Sequence, residues 1–178
     1  YGGDLAIGVF GIINRLLTFV FLPLIGIVQG MQPIVGYNFG AGSFSRVKET
    51  VKLSIRYTTY SALLAFLILE VFSRPILQIF TNDVDAIQMG IPAMRVVPLA
   101  FITIGFQVVV AGLYQAMGRA KESIFLSSLR QVVLLIPLVL ILPHFWGLMG
   151  IFIAFPIADS LAGVVTWWMY RSELSKLN

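Results

Sequence analysis

Apolar residues run through this chain in five stretches, each closed by a short cluster of polar residues, glycine or proline. A helix needs roughly 20 mainly apolar residues to cross the hydrocarbon core of a bilayer. The stretches at 5–37, 53–72, 94–117, 123–142 and 148–170 meet that requirement and predict five transmembrane helices. Between the second and third lies PILQIFTNDV, residues 75–84, apolar along one side and too short to span. It predicts a helix lying in the membrane interface and closed by Asn82-Asp83. The fold class is an all-α membrane protein.

The interruptions carry as much information as the apolar runs. Pro23 and Pro33 lie within the first stretch, and Pro98, Pro137 and Pro156 lie within or at the rim of three others. Proline inside a helix removes one backbone hydrogen bond and kinks the rod. In lipid such a break is tolerated where neighbouring helices or a water-filled cavity satisfy the freed groups. Gly26, Gly30, Pro33 and Gly36 therefore predict a bent inner half of the first helix, its glycines admitting another helix closely. Gly40-Ala41-Gly42 reads as the turn that ends it.

Polar residues inside the apolar runs are the candidate chemistry. Arg15 sits beside Asn14 in the first stretch, and an isolated charge at the bilayer centre is costly. Two readings stay open for it: an aqueous cleft, or a side chain snorkelling to the headgroups. Glu70, within a turn of Arg74, reads as an interfacial acid paired with its neighbour. Gln107 reads first as an interhelical hydrogen bond and second as a cavity-lining group. Asp159 is the one carboxylate near the midplane, and Arg130 on the preceding helix is its nearest cation by depth. A structural Arg130–Asp159 tie and an ion-coupling role both remain open. His144, in the aromatic turn Pro143-His144-Phe145-Trp146-Gly147, reads as interfacial.

Composition agrees with the pattern. Apolar residues make up 58% of the chain, charged residues 11%, and the mean hydropathy is +0.93. A soluble domain carries about 25% charged residues. The net charge of +4 comes from sparse cations in short loops, which argues for membrane orientation and against nucleic acid. If the first helix enters from outside, nine of the 12 cations fall on inner segments. They are Arg46, Lys48, Lys52, Arg56, Arg119, Lys121, Arg130, Arg171 and Lys176. The positive-inside rule then places the N-terminus outside and the C-terminus in the cytoplasm. The chain has no Cys and a single His, which argues against thiolate or His-cluster metal sites. Its Tyr1-Gly2-Gly3-Asp4 opening reads as the interior of a longer protein.

Catalytic signals are weak. No Ser-His-Asp set is available, and Asp159 has no second mid-helix aspartate to face. The glycine turn at 40–42 lacks the Lys-Ser/Thr of a phosphate loop. No catalytic residue or metal ligand is assigned. Kinked helices around a midplane cavity are instead the working parts of secondary transporters, and no carbonyl-filter sequence argues for a channel.

Several strings resemble the multidrug and toxic compound extrusion (MATE) family, in particular its bacterial multidrug export branch. They are YGGDLAI at 1–7, FGIINR at 10–15, GMQPIVGYNFGA at 30–41, LYQAMGRAK at 113–121, LRQ at 129–131 and PIAD at 156–159. The resemblance implies a parent of twelve helices in two six-helix lobes. Residues 1–178 would be a partial C-terminal lobe, five of its six helices. The missing N-terminal lobe and seventh helix would be its partners, together with membrane lipid. The implied activity is export of amphipathic organic cations across the bacterial cytoplasmic membrane in antiport with Na⁺ or H⁺, with no other cofactor. Some family members place an acid in the middle of the tenth helix. Here that region reads Gly105-Phe106-Gln107-Val108, so the resemblance puts the coupling acids mainly outside this chain. Asn14, Arg15, Gln32, Tyr37 and Gln107 are the expected cleft-facing groups. Pro23, Gly30, Pro33 and Gly36 supply the bend. Two rivals are a lipid-linked saccharide flippase of the same superfamily, which would need a cation-rich cleft, and an intramembrane enzyme.

Overall fold

The computed structural model describes residues 3–176, so the Tyr1-Gly2 start of the first resemblance motif lies outside the described residues. Among those residues every regular element is helical. Helix α1 spans Gly3–Gly40, α2 Phe44–Val71 and α3 Ser73–Phe80. Helix α4 spans Val84–Val96, and a 3₁₀ turn at Val97–Ala100 joins it to α5, Phe101–Ala116. Helix α6 spans Ala120–Ser128 and passes through a π-helical stretch, Leu129–Leu135, into α7, Ile136–Ile141. Helix α8 runs over Pro143–Lys176 with a break at Trp146 and Gly147.

Four of these rods are long and apolar enough to cross a membrane, and a fifth span results if α2 and α3 count as one. Those two are bent by 79° at Phe72, so α3 leaves the direction of α2 and turns across the end of the bundle. The bend follows from chain chemistry: Pro75 falls in the first turn of α3, where its missing N–H leaves no hydrogen bond unmade.

Helix boundaries differ from the sequence expectation in instructive ways. The second helix, expected from residue 53, begins at Phe44. Gly42, at φ +70°, reverses the chain, and the first turns of α2 continue the rod with Val47 and Val51 packed into the core. The third, expected from 94, begins at Val84 because Asp83 opens it. The Asp83 carboxylate accepts from Asp85 N at 2.9 Å and Ala86 N at 3.3 Å. Asp83 therefore caps the start of α4 and does not close the interfacial helix, which ends at Phe80 with Thr81 extended. The last helix, expected over 148–170, does start after the break at Trp146 and Gly147, but runs on to Lys176.

Proline acts differently in each rod. Pro98 tightens the α4–α5 junction into a 3₁₀ turn. Pro137, at the start of α7, follows seven residues of π-helix. Its ring crowds the carbonyl one turn back, and widening the preceding turns relieves that clash. Pro23 and Pro33 stay inside continuous α1.

The core lies between α1, α2, α4, α5 and α8. One apolar cluster gathers around Val9, Leu24, Leu77, Met94 and Phe152, and a second around Met31, Val35, Val51, Val110 and Leu113. Buried positions recur at helical spacing: Val28, Met31, Val35 and Asn38 on α1, and Val47, Val51, Ser54 and Thr58 on α2. Gly105 permits the tightest crossing of α5 over α2. A Cβ there would sit 2.9 Å from the Thr58 carbonyl carbon, while Thr58 Oγ1 donates to Gly105 O at 3.2 Å. Elsewhere the rods show large apolar side chains outward, including Phe19, Leu64 and Val164. Such a surface requires lipid or another protein layer around it.

Candidate functional site

Four elements converge on one pair of charges. Asp159 sits in the middle of α8, with its side chain 9% exposed, and Arg130 sits in the π-helical stretch opposite. Arg130 Nη1 lies 3.3 Å from Asp159 Oδ1. The same guanidinium rests 5.3 Å from the centre of the Phe21 ring on α1, within reach of the ring's negative face. The main-chain oxygen of Asp159 accepts from Gln107 Nε2 at 2.8 Å and from Thr103 Oγ1 at 3.4 Å, both on α5. Carboxylate and carbonyl of one residue thus tie α8 to two different neighbours.

Two cavities meet at this pair. The larger, about 400 Å³, lies between α1, α5, the π-helical stretch and α8, with Asn14, Thr18, Arg130, Gln131 and Asp159 among four phenylalanines. The smaller, about 190 Å³, is lined by Gln107, Ser127, Arg130, Gln131 and Thr166. Phe21, Arg130 and Gln131 form the wall common to both.

The structure therefore gathers Asn14, Gln107, Arg130 and Asp159 around one seam inside the bundle. It leaves the other expected cleft residues elsewhere. Arg15 is exposed, one residue round α1 from Asn14, and lines neither cavity. Gln32 donates from Nε2 to Gln115 Oε1 at 2.9 Å, tying α1 to α5. Tyr37, 79% exposed, stands clear of the core.

Along α1, Arg15, Phe19, Pro23, Gly26, Gly30, Pro33 and Tyr37 are all exposed at spacings of three and four residues. They form one face, and only 17% of the helix's most apolar window is buried. Among the described residues no helix comes close to Gly26 or Gly30, since a Cβ added at either meets nothing within 4 Å. Their spacing puts them on the open side of the rod. Gly36 is the bend residue that meets a neighbour, its Cβ position lying 3.3 Å from Ala116 O.

Three contacts were not legible in the sequence. Glu70 faces Arg95 at 3.8 Å, in place of the expected Arg74, because the α2–α3 bend carries Arg74 round the corner. The Thr58–Gly105 crossing has no local signal beyond a glycine. At the inner end, Arg119 in the α5–α6 turn pairs with Glu173 of α8, which is 2% exposed and also 3.7 Å from Lys176. Tyr114 donates to Met169 O at 3.1 Å beside it. The Glu173–Lys176 spacing was visible, but no spacing rule joins residues 119 and 173.

Comparison with known proteins gives this helical arrangement a context. The chain is 26% identical over 176 residues to the multidrug export protein MepA of Staphylococcus aureus, covering 97% of this chain and 39% of that protein. It is 24% identical over 164 residues to a FAD transporter of Shewanella oneidensis, covering 92% of this chain and 36% of that one. Among solved structures, the MATE multidrug transporter DinF-BH matches with 46% identity and a TM-score of 0.85, over 96% of this chain and 38% of that one. The outward-facing conformation of a multidrug resistance MATE family transporter of the MOP superfamily shares the fold at a TM-score of 0.93 and 20% identity, over 99% and 40%. The chain thus spans about two fifths of the length of the proteins it matches. These relatives are transporters and not enzymes. The MatE family model matches residues 1–141, more than half of the sequence, and the chain is a multi-pass membrane protein belonging to that family.

Proposed function

We propose that this chain forms one wall of a multidrug antiporter of the bacterial cytoplasmic membrane. In this reading the parent protein carries a further lobe and a seventh helix, and exports amphipathic organic cations in exchange for Na⁺ or H⁺. The single observation that carries the reading is the open face of α1. It combines one cation and two prolines with small residues and aromatic rings, and nothing among the described residues covers it. A helix meant only for lipid has no use for that mixture, whereas a bent helix along a passage does. The names of MepA, a multidrug export protein, and of DinF-BH, a MATE multidrug transporter, point the same way.

An anionic substrate, whether FAD or a lipid-linked pyrophosphate, would need several cations on this wall. The open face of α1 offers Arg15 alone among the described residues. That favours organic cations over the flippase reading. The deciding experiment is efflux of ethidium by the full-length protein in proteoliposomes, under a Na⁺ gradient and under a H⁺ gradient separately. Efflux driven by one gradient and absent with neither supports the proposal. Efflux under neither, with uptake of FAD or a lipid-linked saccharide instead, overturns it.

A further inference from the structure

Between α3 and the start of α4 lies an open hollow of about 340 Å³ that plays no part in the seam described above. Its size lies in the range of small-molecule sites, about 300–1,000 Å³. Arg74 and Gln78 reach it from α3, Asn82 from the connecting turn and Gln88 from α4, while Ile87 and Ile91 supply an apolar side. These four side chains are exposed and make no hydrogen bond or ion pair among the described residues, while Thr81, also in the lining, accepts from Asp83 N at 3.1 Å through Oγ1. Together they present a guanidinium fork and three amide groups, all able to donate.

Among the described residues no carboxylate lines the cavity. Two acids stand at its rim: Asp83, whose Oδ1 accepts from Asp85 N and Ala86 N at the start of α4, and the exposed Asp85, while Glu70 lies 3.8 Å from Arg95. The location adds a second constraint. Helix α3 turns 79° from α2 and shows Ile79, 79% exposed, outward, the pattern of a short helix lying in a membrane interface. A donor-rich hollow with apolar flanks at that depth suits an anion attached to a hydrophobic body. Arginine with amide donors matches phosphate oxygens well.

We propose that the α3–α4 cavity binds a phosphate ester, carried either by an outer-leaflet phospholipid or by a soluble molecule. The proposal does not depend on the transported substrate. Native mass spectrometry of the full-length, delipidated transporter tests it, titrating phosphatidylglycerol against diacylglycerol of the same chains. Phosphatidylglycerol is expected to bind about tenfold more tightly, as a charge-assisted contact allows. Arg74→Gln, or Gln88→Leu where the first variant does not fold, abolishes that preference. Arg95→Gln, which removes the same charge nearby, keeps it. Displacement by glycerol 3-phosphate identifies the soluble ester as sufficient, and lack of displacement identifies the lipid as the ligand. Equal binding of the two lipids, or a preference that survives both cavity substitutions, overturns the proposal.

Discussion

Arg130 Nη1 and Asp159 Oδ1 stand 3.3 Å apart across the seam between the π-helical stretch and α8. Removing one partner of a buried pair leaves an uncompensated charge and costs about 3–5 kcal/mol; replacing both with apolar groups is often neutral. Arg130 keeps some access to the neighbouring cavities, so the lower end, about 3 kcal/mol, is expected for Asp159→Ala. The double variant Arg130→Met with Asp159→Leu should regain most of it. A double-mutant cycle on thermal unfolding of the purified protein measures the coupling. Asp159→Asn separates the two remaining roles: unchanged unfolding with lost gradient-driven efflux marks a coupling group, and the reverse marks a tie. Loss of neither removes both.

At the α2–α5 crossing, the backbone of Thr58 occupies the space a side chain at position 105 would need. Gly105→Ala should push α2 and α5 apart and strain the Thr58 hydroxyl bond to Gly105 O. Overpacking of this kind costs about 1–3 kcal/mol. Gly30→Ala, on the open face of α1, is the control and should be neutral or slightly stabilising, because its Cβ meets nothing within 4 Å. A melting temperature lowered by Gly30→Ala as much as by Gly105→Ala would contradict the placement of both helices.

What sequence reasoning could reach here depended on range. Period and length of apolar runs are local, and they announce rods in a bilayer without reference to partners. The Arg130–Asp159 pairing was also accessible, because depth in a membrane is a one-dimensional coordinate that the sequence encodes directly. The face of a rod that meets its neighbour is not so encoded. Gly30 and Gly105 look alike in the sequence, yet one faces open space and the other a backbone. Glu70 met Arg95 because a 79° bend at Phe72 redirected Arg74, and no propensity rule yields that angle. The polar first turns of α2 were discounted for a similar reason: hydropathy marks where the bilayer ends, whereas a helix ends where its caps are.

Glu173 provides a test at the inner end. Its carboxylate is almost wholly buried, with Arg119 as the close partner and Oε1 left without a hydrogen bond. Glu173→Gln keeps shape and removes charge, so Arg119, itself partly exposed, can turn to water. The expected loss is about 2 kcal/mol, below the range for a fully buried pair. The weakened tie should release the α5–α6 turn at Gly118 and Arg119. Limited trypsin digestion should then cut after Arg119 or Lys121 several-fold faster than in the unsubstituted protein. An unchanged cleavage rate would mean that Tyr114, donating to Met169 O, holds the turn unaided.

The bend expected of α1 at Pro33 yields the last test, which rests on the proposed transport role. Pro33 lies on the open face, so its ring supports no packing inside the lobe, and its missing N–H leaves the Gln29 carbonyl without its intrahelical donor. Pro33→Ala restores that hydrogen bond at no steric cost. A rod bent only as an accident of sequence would gain stability, about 1 kcal/mol or more, and transport as before. A rod whose bend shapes the passage should gain the same stability and lose efflux, because the straightened form is a poorer wall. Thermal unfolding and ethidium efflux measured on the same preparation separate these outcomes. Raised stability with undiminished efflux would remove Pro33 from the working parts, and would leave Gln32, bonded to Gln115, and Gly36, which meets Ala116 O, as contacts between this segment and α5.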